Sequence, residues 1–209
     1  MKLFSYIVAR DFGFAPNPFH GVCTLATCKP KIRRKAQVDD WVMGTGSKKY
    51  GLEGRIVFAM RVDEILNFDE YWNDKRFKNK RPNLHGSLKQ AFGDNIYHRD
   101  ERTGEWIQDD SHHSFVDGLP NEVNIFRDTQ TTAVLIAREF YYWGGFGPPI
   151  PKMFRGFQGW DVCHTRPGHK CNFPTKLVDA MIKWIRGKGE SGYIDEPLCF
   201  RTFQPRARH

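Results

Sequence analysis

The sequence predicts an α+β domain, a strongly bent mixed sheet or a partly open barrel with one long C-terminal helix against it. Three observations carry this expectation. In Arg55 to Val62, the residues Ile56, Phe58, Met60 and Val62 alternate with Arg55, Val57, Ala59 and Arg61 at the two-residue period of a sheet. Thr131 to Trp143, TTAVLIAREFYYW, fills both faces with β-branched and aromatic residues as far as Arg138, which suits a central strand. In Thr175 to Arg186, Leu177, Val178, Met181, Ile182 and Ile185 recur at helical spacing, and Gly187 supplies a stop.

The remaining elements follow in chain order. Lys2 to Ala9 reads as an opening strand. Asp11 to Pro30, with prolines and glycines among aromatics, reads as a packed irregular segment, because proline and glycine interrupt any regular helix there. Lys31 to Gln37 suits one helical turn. Asp40 to Met43 is a short strand, followed by a Gly-rich loop from Gly44 through Ser47 to Lys48 and Lys49. Asn67-Phe68-Asp69-Glu70 has the spacing of a capping box, and Phe68, Tyr71 and Trp72 give the helix behind it an apolar side. The chain then turns polar from about 75 to 128, with two short strands at Asn95 to Arg99 and Glu105 to Gln108. This insertion reads as a lid or a surface excursion.

At 209 residues and 24.4 kDa the chain suits one domain spanning 1–209. No apolar run approaches a membrane span, and the N-terminal stretch is too quickly charged for a signal peptide, so a soluble, cytoplasmic protein without a membrane partner is expected. Five cysteines without a secretory context read mostly as reduced thiols. The charge is uneven: residues 1–62 hold 11 Lys/Arg against 4 Asp/Glu, whereas residues 63–209 hold 21 against 20. A basic cluster of Lys29, Lys31, Arg33, Arg34 and Lys35 is therefore the expected contact for a nucleic-acid backbone, or else a solvated face.

Glycines at 44 and 46 permit close backbone approach, so Gly44, Thr45, Gly46, Ser47 and Lys48 form a candidate ligand loop, with an ordinary hairpin as the alternative. Trp41, Tyr142 and Trp143 could stack on a base, and Arg138 could read its edge. Cys163, His164, His169 and Cys171 lie close together, but their spacing does not match a structural zinc site, and no metal is expected. His112-His113-Ser114 after Asp109-Asp110 resembles a triad only on paper, since such near neighbours seldom converge; no catalytic role is assigned to it. A phosphate loop, HExxH, the zinc-deaminase signature and a dinucleotide fingerprint are all absent, and no cofactor is implied. Asp11, Cys23 and Cys28 remain the chemically able groups of the irregular segment.

Three stretches together carry a resemblance: Ala9-Arg10-Asp11 through Ala15-Pro16-Asn17-Pro18-Phe19 to Cys23-Thr24-Leu25-Ala26-Thr27-Cys28-Lys29-Pro30; Asp40 to Ser47; and Tyr142-Trp143-Gly144 with the helix from Leu177. They resemble the second of the nucleotide-modification-associated domain families, whose setting is DNA base modification. More remotely, Asp40-Trp41-Val42 with its glycine loop and Ile56 to Val62 looks like the strand pair of PUA, ASCH and EVE domains, mixed β-barrels that hold a modified base. The resemblance implies recognition or processing of a modified nucleobase or nucleotide, with Asn17 among the ligand contacts and other proteins of a modification system as partners. Two further readings are an enzyme acting on a nucleotide or flipped base, as hydrolase or transferase, and a protein-interaction module without a ligand.

Overall fold

A computed structural model of the chain describes residues 1–164 and 166–202. Its elements run β1 (Leu3–Val8), β2 (Cys23–Leu25), α1 (Pro30–Lys35), β3 (Trp41–Gly46), β4 (Ile56–Arg61), β5 (Glu64–Leu66), α2 (Phe68–Asn73), α3 (Leu88–Ala91), β6 (Tyr97–Arg99), β7 (Trp106–Gln108), α4 (Glu122–Asp128), β8 (Val134–Ala137), β9 (Phe140–Tyr142), β10 (Arg155–Phe157), β11 (Trp160–Asp161), α5 (Thr175–Arg186) and β12 (Gly192–Tyr193). A mixed five-stranded sheet in the order β1-β3-β4-β9-β12 faces a three-stranded sheet in the order β2-β8-β5. Among the described residues no helix is long and apolar enough to cross a membrane.

The stretch Thr131 to Trp143 is two strands rather than one. Its first half pairs with β2 and β5 in the small sheet, the chain turns at Arg138-Glu139, and its second half pairs with β4 in the large sheet. The chain also changes sheets between β4 and β5. One carboxylate staples both corners, because Asp63 Oδ2 accepts the N–H of Arg138 at 2.5 Å and of Glu139 at 3.3 Å. Strands that switch at such corners build stacked open sheets, so the expected partly open PUA-like barrel gives way to two separate sheets.

Alternation along the strands then sorts the core into layers. Leu3, Trp41, Met43, Ala59 and Tyr141 point to one side of the large sheet and meet Leu177, Val178, Met181, Ile182 and Ile185 of α5. Helix α5 makes roughly three turns, and β12 follows it. Phe4, Tyr6, Val42, Phe58, Met60 and Tyr142 point to the other side and meet Cys23, Leu25, Leu135 and Ala137. The far side of the small sheet, Val134 and Ile136, is covered by Phe14, Phe68, Tyr71, Phe77, Phe92 and Tyr97. The polar insertion thus contributes a buried layer. It is fastened by Lys80, fully buried, whose Nζ donates to Asn17 O, Asn17 Oδ1 and Val22 O at 2.7–2.9 Å. Burial pulls this ammonium down to about 8, and Asp94 works against that fall. The capping box at Asn67 and Glu70 forms in both directions.

The Gly-rich segment is a correction with a packing cause. Gly44 and Gly46 belong to β3, paired in parallel with Tyr6 and Val8 of β1. A Cβ on Gly44 would stand 2.3 Å from Phe58 and 2.5 Å from Val8, and one on Gly46 would stand 2.3 Å from Leu52. These glycines let neighbours close over the strand. Gly44→Ala should therefore destabilise the fold by about 1–3 kcal/mol through overpacking. Urea denaturation checks this, and an unchanged midpoint would return the segment to a loop with room to spare.

Candidate active site

Cys28 sits on the sharp turn from β2 into α1. Its φ is 57° and that of Lys29 is 42°, left-handed values that cost a residue with a Cβ about 1–3 kcal/mol. Two contacts hold the turn: Asp128 Oδ1 accepts the Cys28 N–H at 2.8 Å, and Arg33 Nε donates to the Cys28 carbonyl at 2.8 Å. Cys28 as a residue is half-buried, and all five cysteines are free.

The insertion brings the partners of that thiol. Cys28 Sγ lies 3.5 Å from His113 Nε2, and His113 Nδ1 lies 2.8 Å from Asp128 Oδ2. Asp128, the last residue of α4, is fully buried and also accepts the hydroxyl of Tyr97 at 3.0 Å. Gln108 Nε2 donates to that same hydroxyl at 3.0 Å. The hairpin of β6 and β7 therefore sets the carboxylate, while Asn124 Nδ2 donates to the His113 carbonyl at 2.7 Å and the Phe14 ring packs 4.6 Å from the imidazole. The result is a line of thiol, imidazole and carboxylate from three separate segments.

With Nδ1–H donated to Asp128, Nε2 is left to take the thiol proton. Burial opposes a charge on His113, yet hydrogen bonds with Asp128 and Cys28 outweigh it and push the imidazolium up to about 9. His113 is thus a strong enough base to receive the proton near neutral pH and, once charged, an acid that can return it.

Arg33, expected on a phosphate-binding face, is instead 1% exposed. Its guanidinium donates to the carbonyls of Cys28, Thr131, Ala133 and Asp128. Burial pulls it down to about 10, with Asp128 opposing. Lys31, Arg34 and Lys35 are exposed and Lys29 is half-buried.

The other expected site residues lie elsewhere. Asp11 is buried, hydrogen-bonded to the Tyr142 hydroxyl and to the Leu198 N–H, so it ties the C-terminal segment to β9; burial pushes its carboxyl up. Cys23 is fully buried with Sγ 3.9 Å from Met60 Sδ, and burial pushes its thiol up. Asn17 is fully buried and gives its amide to Phe92 O at 2.8 Å. Trp41 is fully buried beneath α5, Thr45 donates to Tyr6 O at 3.3 Å, and Tyr142 and Trp143 are buried. Ser47 and Lys48 mark the start of a 3-10 turn beyond β3. Arg138, at the sheet corner, lines a cleft of about 350 Å³ with Phe19, His20, Lys89, Phe140 and Tyr193. Trp41 and the Gly44–Ser47 stretch are thus not brought to Cys28.

His113, given no role on sequence because partners so near in the chain seldom converge, faces the distant groups Cys28 and Asp128. Ser114 Oγ donates to Asp110 Oδ1 at 2.7 Å and shapes the turn. No local signal marked Asp128, Tyr97 or Gln108. Among the described residues, Cys28, His113 and Asp128 are also the group whose donor atoms come within metal-ligating reach of one another. Both imidazole nitrogens and both carboxylate oxygens face hydrogen-bond partners within the protein.

No curated protein and no solved structure matches the chain significantly. A family model described as nucleotide modification associated domain 2 matches residues 1–204, a span that contains Cys28, His113 and Asp128. The chain therefore belongs to the nucleotide modification associated domain 2 family.

Proposed function

We propose that the protein is a cysteine-dependent transferase or hydrolase that acts on an acyl or amide group of a nucleobase or nucleotide within a DNA-modification system. The observation that carries this reading is the line Cys28 Sγ to His113 Nε2 at 3.5 Å and His113 Nδ1 to Asp128 Oδ2 at 2.8 Å. A nucleophile, a base and a group that orients the base are the parts that acyl transfer requires, on whatever fold they meet. Family membership supports a nucleotide setting.

In the first half-reaction His113 takes the thiol proton and Sγ attacks the carbonyl carbon. The S–C bond forms, the C–N or C–O bond breaks, and the imidazolium returns its proton to the leaving nitrogen or oxygen. In the second, water or an acceptor amine attacks the thioester, His113 removes a proton from it, and the thiolate leaves and recovers that proton. Asp128 holds the ring throughout and faces the positive charge that forms on it. A purely recognising protein would leave this relay idle.

The test is mass spectrometry of nucleosides, nucleotides and intact protein after incubation with acylated or aminoacylated nucleotides and modified oligonucleotides. A new product, with a transient mass increase on the wild-type chain that is lost in Cys28→Ala, is the expected result. A product undiminished in Cys28→Ala overturns the reading. So does stoichiometric zinc bound through Cys28, His113 and Asp128, found by elemental analysis and lost in each single variant, because ligation would occupy the relay.

A further inference from the structure

We propose that a composite face beside Cys28, in which the cations Lys29, Lys31, Lys35 and Arg166 flank the His169 ring, takes the phosphodiester backbone of a nucleic-acid strand. The proposal rests on the reading of Cys28 as nucleophile for what happens to the strand, though not for the binding itself.

Two segments remote in sequence converge on β1, which is an edge strand. Ser5 and Lys170 exchange backbone hydrogen bonds at 2.9 Å in both directions, which lays the loop containing Arg166 and His169 along that edge. Lys170 Nζ fastens the loop further by donating to Asp161 O at 3.1 Å and Cys163 O at 3.2 Å. The His169 ring packs 5.9 Å from Phe4, and Lys29 Nζ stands 4.3 Å from the centre of the Tyr6 ring. Phe4 and Tyr6 are two residues apart and so share one side of the strand. Residue 29, directly after the nucleophile, therefore borders both the thiol and the loop.

The charge on this face is of one sign. Burial pulls the proton affinity of His169 down first, and then Lys35, His164, Lys31 and Lys29 lower it further; for His164 burial is followed by Lys170, Arg166 and Lys29. The largest charge effects on both rings come from cationic neighbours. Among the described residues, Lys29, Lys31, Lys35 and Arg166 take part in no ion pair, whereas Arg76 is paired with both Glu64 and Asp74. Concentrated positive charge without counter-charge is self-repelling and is relieved by a polyanion. Lys31 and Lys35 are four residues apart on one face of α1, with Cβ atoms about 5–6 Å from each other, so they can meet successive phosphates rather than one.

The experiment uses full-length Cys28→Ala protein, so that binding is read without turnover, and follows the anisotropy of a short labelled single strand over about 50–200 mM salt. Lys31→Gln with Lys35→Gln, and separately Arg166→Gln with His169→Gln, should each flatten the slope of log affinity against log salt by about 0.7 for every phosphate contact removed. Lys183→Gln on α5 should leave it unchanged, and matching thermal melts would establish that the variants are folded. An unchanged slope in the Arg166/His169 pair overturns the composite face. Displacement by a nucleoside monophosphate at equal phosphate concentration overturns the strand, as does binding to anionic phospholipid vesicles with none to DNA or RNA. If binding behaves as expected while wild-type protein yields no product, only the nucleophile reading fails.

Discussion

Replacing His113 with Gln is expected to lower turnover by about 10²–10⁴-fold, the usual contribution of a positioned proton-transfer group. Glutamine can keep a hydrogen bond to Asp128 but can neither take the thiol proton of Cys28 nor return one to a leaving group. Asp128→Asn should be as severe, on the order of 10⁴-fold. An amide there presents N–H to His113 Nδ1, favours the tautomer with the proton on Nε2, and blocks the acceptor that Cys28 faces 3.5 Å away. The pH dependence separates this account from a structural one. Asp128 and Cys28, working against burial, push His113 up to about 9, above the ordinary value of about 6.5. A raised folded value means that the charged ring stabilises the fold fully below about 6.5, and that this stabilisation is lost as pH rises through about 9. Turnover should fall over the same upper window, because the thiol–imidazole pair then loses the proton that His113 passes to the leaving group. Rate profiles and urea midpoints between about pH 6 and 10 check both statements. A turnover profile that is flat through about 9, or a Gln variant at full rate, would remove His113 from the chemistry.

The parts of this arrangement that sequence made legible are those set by near neighbours. The stripe Leu177, Val178, Met181, Ile182 and Ile185 predicted α5 at its observed bounds, and the capping box at Asn67 depends on groups three residues apart. Cys28 stood out as an able group in an irregular segment, yet its partners did not, since His113 is 85 residues away and Asp128 is 100. Only the packing of residues 75–128 onto the small sheet brings them together, and their polar composition hides that packing. Phe77, Phe92, Ile96 and Tyr97 supply the buried side of a stretch that otherwise reads as surface. Thr131 to Trp143 was misread for a related reason: apolar residues continue across the Arg138 corner, so periodicity cannot reveal a change of sheet. At Gly44 and Gly46 the same residue type that permits a loop also permits close strand packing, and the nearby Phe58, Val8 and Leu52 decide between them.

Arg33 shows how a charge run can conceal a structural group, and its removal should have the largest effect on stability. Arg33→Met is expected to cost about 3–5 kcal/mol, the range for leaving one partner of a buried charged pair behind. Methionine fills similar volume, but the carbonyls of Cys28, Thr131, Ala133 and Asp128 lose the donor they share. Each buried acceptor left unpaired costs about 1–3 kcal/mol before relaxation, and the Asp128 carboxylate loses a nearby positive charge. Arg33→Lys should recover little, because one ammonium cannot span carbonyls that a planar fork reaches together. The neighbour provides the control. Arg34 is exposed and donates to Gln130 O at 2.6 Å, so Arg34→Ala should change stability by less than about 1 kcal/mol. Urea denaturation of the three variants measures the contrast. If Arg33→Met costs no more than Arg34→Ala, the guanidinium is not what holds the strained Cys28 turn against Asp128. If it costs the expected amount, turnover measured under conditions where the variant is still folded should fall as well, because the guanidinium ties the Cys28 turn to the end of α4.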